Sequence, residues 1–361
     1  MTVYYIFIAS VFIFAYLSQI SDRALVLEGE SKKVKHSAAS QFWFLLIVLM
    51  MILISGFRYQ VGADFGAYYK MYEEFADIFV DHLKQYKEPG FYFICWIVTR
   101  IGGNGTTVLM ICAVLTVCLS IYPLYRRTSE VLLFALLYVF LGCWHEGLNA
   151  VRQCLAMAVL CLGFDSLKER KFFKYLIIVL LAGAFHRSAL LMIAAYFLVN
   201  WNINFKNTVI LFAASTALLF SFDSVFGFSE SLLETDYSLE YNYISTNVNI
   251  LRILVAVAPA VFFLIVFSKR GFDEEQRFNM NLVLMNAAIM VAASNSTYLA
   301  RMGIYTAPFV AVAFPELLKD IEFKNRRLIT SVIVLLYFAF WWYDIYNNPS
   351  LNDFTFVWQY S

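Results

Sequence analysis

Long apolar segments, separated by short polar ones, follow one another along most of the chain. Such segments have the length that a helix needs to cross the roughly 30 Å hydrocarbon core of a bilayer, where every backbone amide must find its partner within the protein. The pattern therefore predicts an all-α polytopic membrane protein with about twelve transmembrane helices. The expected spans are residues 2–20, 41–57, 105–125, 130–144, 150–167, 172–184, 187–200, 207–222, 250–268, 279–294, 299–317 and 328–346.

A further apolar segment, residues 90–101, is too short for a full crossing. It begins after Glu88 and Pro89, which suits the first turn of a helix, and it ends in the glycine-rich turn 102–105. Counting it as a span would also invert the orientation that the loop charges give to the helices that follow. We expect a short re-entrant or tilted helix here, beside a cavity.

Composition supports a membrane-embedded chain and narrows its chemistry. Of the 361 residues, 61% are hydrophobic and only 15% are charged, which is too little polar surface for a water-soluble globule. The net charge of +1 provides no field that would recruit nucleic acid. The six cysteines lack metal-binding spacing, so we expect them to pack as small apolar side chains. No repeat or soluble segment is visible, and we expect residues 1–361 to form a single integral membrane domain whose first helix is retained.

Loop charges predict which ends of the helices face the cytoplasm. The positive-inside rule places loops rich in Lys and Arg on that side. These loops alternate with others along the chain and lie near residues 23–35, 126–127, 168–171, 269–277 and 319–327. The two longest intervening loops, residues 59–88 and 223–248, then face outside, and the second contains no Lys or Arg.

Several arginines fall at the outer ends of predicted spans, where this orientation brings them to one leaflet. Outward-facing arginines go against the positive-inside rule, so each needs an acidic partner or an anionic ligand. Guanidinium groups bind phosphate oxygens in pairs and stay charged, which favours a lipid pyrophosphate as the ligand. Taken singly, each could instead extend to lipid headgroups or pair with a carboxylate such as Glu146. The arginines are Arg58, Arg152, Arg187 and Arg301.

Carboxylates and a histidine near the same leaflet could provide the base that removes a proton from a sugar hydroxyl. The candidates are Asp64, Glu88, Glu146 and His186, and all four stay open. His186 and Ser188 are two residues apart and would face different ways on a helix, which disfavours a hydrolase. The chain contains no Asp-x-Asp motif and no close group of metal-ligating histidines, so we expect chemistry without a metal or another cofactor.

These charged residues fall within a series of short motifs that resembles the signature of the EpsG/Wzy-like polysaccharide polymerase family. The first, residues 56–65, is similar to the family pattern Gly-x-Arg-Tyr-x-Val-Gly-x-Asp. Further motifs follow in the family's order and at similar separations, so that the resemblance covers residues 56 to about 305. They are Glu88-Pro89-Gly90-Phe91, Asn149-Ala150-Val151-Arg152-Gln153, Phe185-His186-Arg187-Ser188-Ala189-Leu190 and Ala300-Arg301.

The resemblance implies a bacterial glycosyltransferase that polymerises O-antigen (the polymer of lipopolysaccharide), capsule or exopolysaccharide in the inner membrane, with its active site facing the periplasm. Its fold would be similar to the membrane-embedded GT-C glycosyltransferases and to O-antigen ligases. Donor and acceptor would both be undecaprenyl-pyrophosphate-linked glycans, and the acceptor hydroxyl would displace the donor pyrophosphate with inversion. A chain-length regulator and a flippase would be possible protein partners.

The resemblance also implies roles by motif position. Arginines would bind the pyrophosphate and the transition state, while carboxylates and a histidine would be the catalytic groups. The arginines are Arg58, Arg152 and Arg301; the catalytic candidates are Asp64, Glu88 and His186; Tyr59 and Gln153 are further substrate-binding candidates within the matched motifs. Arg187 departs from the family, which often has a small polar residue there, so its role would be particular to this glycan.

Three other functions share some of these features. A flippase or transporter of the same lipid-linked units would also need an anion site, but transporter folds favour internal repeats, which this sequence does not show. An O-acyltransferase would need a donor site that reaches the cytoplasm. An O-antigen ligase shares the chemistry and the fold, and only its acceptor separates it from a polymerase.

Overall fold

The computed structural model describes residues 1–26, 36–75, 88–220, 248–321 and 326–359. Within them the regular structure is helical, apart from one isolated bridge between Arg58 and Phe356. The α-helices are Thr2–Val26 (α1), Ala38–Gly56 (α2), Phe65–Phe75 (α3), Pro89–Arg100 (α4), Gly105–Tyr125 (α5), Val131–Phe140 (α6), Glu146–Asn149 (α7), Val151–Cys161 (α8), Phe164–Lys168 (α9), Phe172–Gly183 (α10), Ile193–Leu198 (α11), Phe205–Phe220 (α12), Ile250–Phe267 (α13), Glu274–Ala292 (α14), Thr297–Ala300 (α15), Gly303–Lys319 (α16) and Arg326–Tyr346 (α17). Two 3-10 segments, Arg187–Met192 and Val357–Gln359, complete the set.

Five of these helices are long and apolar enough to cross a membrane, namely α1, α2, α5, α13 and α17. Each remaining predicted span also coincides with helical structure, but that structure is shorter, broken or more polar. The all-helical membrane architecture expected from the sequence is therefore confirmed. The count of about twelve crossings and the likeness to GT-C glycosyltransferases stay predictions.

The helices divide into an inner and an outer group. Helices α6, α8 and α16 are buried along almost their whole length, and α6 is apolar on every side, as expected for a helix in the core. Helices α1, α2, α13 and α17 surround them and expose large apolar side chains such as Phe42, Ile265 and Leu336. Exposed apolar surface of this extent is suited to contact with lipid tails.

The inner helices are short because the chain breaks at one end of the bundle. Helix α6 ends at Phe140, short of the predicted boundary at residue 144, and Gly142 then turns the chain with a φ of +86°. The predicted span 299–317 is similarly interrupted, since α15 and α16 are separated by Arg301 and Met302. Non-helical backbone inside a membrane protein is stable where it lines a cavity, and both breaks do so.

The basic loops lie together at the opposite end of the bundle. The Nζ atom of Lys168 is 2.6 Å from Glu275, Arg326 is 3.2 Å from Glu130, and Arg127 pairs with Asp165. These contacts join loops that the charge pattern assigned to one side, although residues 27–35 and 322–325 lie outside the described residues. The helix ends thus separate into a basic end and an end that carries the cavity.

The predicted outer loop 59–88 is partly helical, because α3 occupies residues 65–75, and its residues 76–87 lie outside the described part of the chain. The second outer loop, 223–248, lies outside it except for Val248. The short helix expected after Pro89 is present as α4, with Pro89 in its first turn and Gly102 beyond its end at a φ of +72°. Its re-entrant path stays a prediction.

The C-terminal segment folds back over the cavity end. Backbone hydrogen bonds join Tyr59 N to Thr355 O (2.9 Å), Gly62 N to Ser350 O (2.8 Å) and Val357 N to Phe57 O (3.0 Å). Since buried backbone groups need partners, this pairing fixes the path of residues 57–62 after α2.

Candidate active site

A cavity of about 310 Å³ opens at this end of the bundle. Its wall contains the helix breaks at residues 141–145 and 301–302 together with the C-terminal segment. Charged residues line it from five separate parts of the chain. They are Asp64, His145, Glu146, Arg252, Arg301 and Asp344.

The first motif brings Asp64 to the cavity by means of Gly62. The φ of Gly62 is +101°, and a Cβ atom at this position would lie 1.9 Å from the carbonyl oxygen of Leu148. Only glycine permits this approach. The next residue, Ala63, donates its N–H to Oδ1 of Asn149 at 2.8 Å. The first motif therefore docks directly on the third, and Asp64 follows at the cavity wall.

Arg58 lies beneath this loop and is buried, with 2% of its surface exposed. Its guanidinium donates to the carbonyl oxygens of Ser55 (2.5 Å), Val61 (3.1 Å) and Leu148 (3.4 Å). Burial lowers the pKa of Arg58 to about 10, which leaves it charged at neutral pH. This geometry favours a structural role over the direct phosphate contact expected from the sequence, because the donors already serve the backbone.

Glu88 joins three of the motifs. Its carboxylate accepts a hydrogen bond from Nη1 of Arg152 at 2.8 Å and another from the backbone N–H of Arg187 at 2.8 Å. The following glycine, Gly90, donates its N–H to the carbonyl of Ala184 at 2.8 Å. The Nε atom of Arg152 is buried and has no hydrogen-bond partner among the described residues. A partly buried guanidinium whose Nε donor has no partner among the described residues is suited to an anionic ligand.

His186 lies beside Glu88 and Arg152 and contacts Ser188, contrary to the expectation from the sequence that these two side chains face different ways. Ser188 Oγ is 2.8 Å from His186 Nδ1, and the hydroxyl of Tyr305 is 2.8 Å from Ser188 and 3.3 Å from the same nitrogen. The two residues meet because His186 is extended (φ −154°, ψ 119°) and only Ser188 belongs to the 3-10 segment. The premise that both sit on one helix and diverge is therefore wrong.

The charge state of His186 follows from its surroundings. Burial lowers its pKa, the cationic Arg152 and Arg301 lower it further, and Glu88 at 3.9 Å opposes them. The imidazole is thus favoured in its neutral form near pH 7, the form in which it can accept a proton.

The remaining predicted site residues are placed differently. Gln153 donates from Nε2 to the carbonyl of Arg301 at 2.9 Å, which connects the third motif to the last one. The side chain of Arg187 is exposed. Tyr59 packs edge-on against Phe65, with 5.9 Å between ring centroids, and pairs with Thr355 through its backbone. These contacts make Tyr59 part of the support beneath the cavity.

Arg252 and Asp344 belong to the cavity, and the sequence reasoning missed both. Nη2 of Arg252 lies 2.7 Å and 2.9 Å from the two carboxylate oxygens of Asp344, and 3.8 Å from Glu146. Both residues stand at the outer ends of predicted spans. The other arginines stand out because a cation at the outer end of a span goes against the positive-inside rule. The same criterion would also identify Arg252.

His145, Glu146 and Asp344 place ligand atoms within 4.8 Å of one another, a grouping that the sequence did not reveal. The donor set nevertheless fits a metal ion poorly. Arg252 already neutralises Asp344 with three hydrogen bonds, and Nε1 of Trp341 donates to His145 Nδ1 at 3.2 Å. A neutral imidazole that accepts at Nδ1 carries its proton on Nε2, the nitrogen that would have to bind the metal.

Comparison with known proteins identifies the family of this chain. The model of the EpsG family matches residues 41–361, from the start of α2 through the C-terminal segment, and so includes every residue named above that lines the cavity. No curated protein and no solved structure matches the chain. Because the family match spans most of the sequence, the chain belongs to the EpsG family.

Proposed function

We propose that this protein is a polysaccharide polymerase that joins lipid-linked oligosaccharide repeat units by metal-independent, inverting glycosyl transfer. Both donor and acceptor are undecaprenyl-pyrophosphate-linked glycans in this proposal. Membership of the EpsG family supports a role in polysaccharide synthesis. The positive-inside rule supports a site at the periplasmic face of the inner membrane, since the cavity lies at the end opposite the basic loops.

The observation that carries the proposal is the convergence of the motifs. Ala63 bonds to Asn149, Glu88 bonds to Arg152 and to the backbone of Arg187, and Gln153 bonds to Arg301. Residues separated by up to 148 positions thus form one connected group at a single end of the bundle. A set of charges built in this way, beside lipid-facing helices, is suited to a substrate with a charged head and a long apolar tail.

The cationic part of the site would bind the pyrophosphate of the donor. Arg152 has a buried Nε donor without a partner among the described residues, and Arg301 lines the cavity at a helix break. Their fixed positive charges would stabilise the negative charge that develops on the leaving pyrophosphate. Arg58 would act from beneath by holding the first motif in place.

Asp64 is the strongest candidate for the base. Of the cavity carboxylates in the described residues, Glu146 and Asp344 form salt bridges with Arg252, whereas Asp64 forms none. Glu88, held by Arg152 and the Arg187 N–H, would orient those groups. In the reaction Asp64 takes the proton of the acceptor hydroxyl, the freed oxygen bonds to the anomeric carbon, and the pyrophosphate oxygen leaves with the electron pair.

The function is tested by polymer length in a strain that lacks this gene. The strain would be complemented with the wild type, Asp64→Asn, Arg152→Gln or a control, Glu275→Gln, whose salt bridge with Lys168 lies at the basic end. We expect the wild type and the control to restore long polymer ladders, and the two site variants to leave single repeat units at equal expression.

Other outcomes separate the alternative functions. If single repeats fail to reach the outer surface without this protein, it is a flippase. If long polymers form on the lipid carrier without it but are not transferred to lipid A, it is a ligase. Either result rejects the polymerase proposal.

A further inference from the structure

His145 and Asp344 lie next to each other in the cavity wall. His145 is 3% exposed, and its Nε2 atom is buried without a hydrogen-bond partner in the described part of the chain. The nearest carboxylate oxygen, Oδ2 of Asp344, is 3.7 Å away, which is too long for a direct hydrogen bond. A buried polar group left in this state is costly, so the pair is incomplete without a third group.

Trp341 determines which role His145 plays. The indole Nε1 is only ever a donor, and it lies 3.2 Å from Nδ1 of His145. Nδ1 must therefore accept, and the neutral imidazole carries its hydrogen on Nε2. Trp341 is itself fully buried, so this orientation is fixed by packing. His145 therefore has a buried N–H donor at Nε2 that finds no acceptor in the described part of the chain.

Arg252 determines the state of the opposite group. Its three hydrogen bonds to Asp344, at 2.7 Å, 2.9 Å and 3.2 Å, hold the carboxylate in place and favour its ionised form. Each carboxylate oxygen accepts more than one hydrogen bond, so Oδ2 keeps capacity on the side facing His145. An acceptor and a donor therefore stand 3.7 Å apart in fixed orientations.

The group that completes this pair must accept from one side and donate to the other. A hydroxyl does both at once. A metal cation would be repelled by the Nε2 hydrogen and by the charge of Arg252. A phosphate or carboxylate would be repelled by the negative charges of Asp344 and Glu146. Beside the charged Asp64 and Arg301, the wall also contains uncharged polar groups at Asn149, Asn348 and Ser350.

We propose that His145 and Asp344 form a hydroxyl-recognition subsite for an uncharged sugar ring of the repeat unit, separate from the transfer groups around Arg152 and Glu88. This inference rests on the proposed function in one respect only, that the substrate is a glycan. Trp341 and Arg252 are positioning residues, which fix the tautomer of His145 and the orientation of Asp344.

The test measures binding of the free repeat-unit oligosaccharide, released from its lipid by mild acid, to the purified full-length protein. The variants are His145→Phe, which removes the donor, and Asp344→Asn, which keeps the shape and removes the charge. Loss of the charged acceptor in Asp344→Asn should weaken oligosaccharide binding roughly tenfold to hundredfold, and loss of the neutral donor in His145→Phe roughly twofold to tenfold. Undecaprenyl pyrophosphate without sugar should bind the wild type and both variants equally.

A matched control is available at the basic end of the bundle. His36 is also buried, and it bonds to Asp22 and to the backbone of Tyr125, far from the cavity. His36→Gln should leave oligosaccharide binding unchanged, which shows that loss of a buried histidine alone has no effect. If His145→Phe fails to fold, the isosteric Asp344→Asn variant carries the test.

The inference is overturned if the wild type does not bind the oligosaccharide, or if both variants bind it as the wild type does. It is also overturned if Mg²⁺ or Mn²⁺ alone binds the wild type and not His145→Phe, since the pair would then be a metal site. Failure of the polymerase proposal gives a different pattern, in which oligosaccharide binding depends on His145 and Asp344 but no ladder depends on the protein.

Discussion

A substitution at Gly62 tests the backbone path of residues 57–64 most directly. An alanine at this position would have to adopt a φ of +101° with its Cβ 1.9 Å from the carbonyl oxygen of Leu148, so the backbone must move. The backbone strain costs about 1–2 kcal/mol. The movement also breaks the hydrogen bonds Gly62 N to Ser350 O and Ala63 N to Asn149 Oδ1, at about 1 kcal/mol each. The expected loss is about 3–4 kcal/mol in the free energy of unfolding.

The assay compares Gly62→Ala with Gly66→Ala, a change of the same size four residues later. A Cβ at Gly66 meets nothing within 4 Å, and the residue lies in helix α3, where alanine is favoured. Purified in detergent, Gly62→Ala should lower the Tm by at least about 5 °C and shorten the polymer ladder, because Asp64 moves with the loop. Gly66→Ala should match the wild type in both. Equal behaviour of the two variants would refute the path assigned to residues 57–64.

Further expectations concern the groups around the cavity. Glu88→Gln should reduce polymer synthesis at least about tenfold with unchanged expression, because an amide cannot hold the Arg152 cation as strongly; full activity on gels would contradict this. Arg58→Lys should lower the free energy of unfolding by about 1–3 kcal/mol, because an ammonium cannot reach three carbonyl groups at once; thermal unfolding measures this. Because burial lowers the pKa of His186 below its ordinary value of 6.5, the unfolded chain binds more protons, and the Tm should fall as the pH drops below 6.5. His186→Gln should flatten that decline, and a Tm profile that stays parallel to the wild type would exclude this assignment.

The positions of the helical segments can be predicted from the sequence because apolar blocks between charged loops indicate membrane helices directly. The residues at which these helices end are harder to predict. Helix α6 stops at Phe140 because Gly142 adopts a positive φ, and a single glycine within an apolar block does not reveal such a turn. The break at Arg301 is similar, since apolar residues continue on both sides of it.

The sequence predicts several residues of the candidate site, but it predicts their contacts less well. Arg152, Glu88 and His186 were singled out as charges at span ends, and the structure brings them together. Periodicity could not show that Arg58 serves backbone carbonyls or that His186 is extended and meets Ser188. Both depend on local backbone angles, which the pattern of apolar and polar residues does not encode.

The backbone pairing between residues 57–62 and 350–357 also makes the shape of the first motif depend on a segment from the other end of the chain. The N–H groups of Tyr59 and Gly62 donate to the carbonyl oxygens of Thr355 and Ser350, which follow α17. During insertion into the membrane the first motif therefore lacks its final shape, although its residues have already emerged. The part of the cavity wall that carries Asp64 therefore takes its final shape only after α17 has formed and residues 350–357 have paired with the first motif.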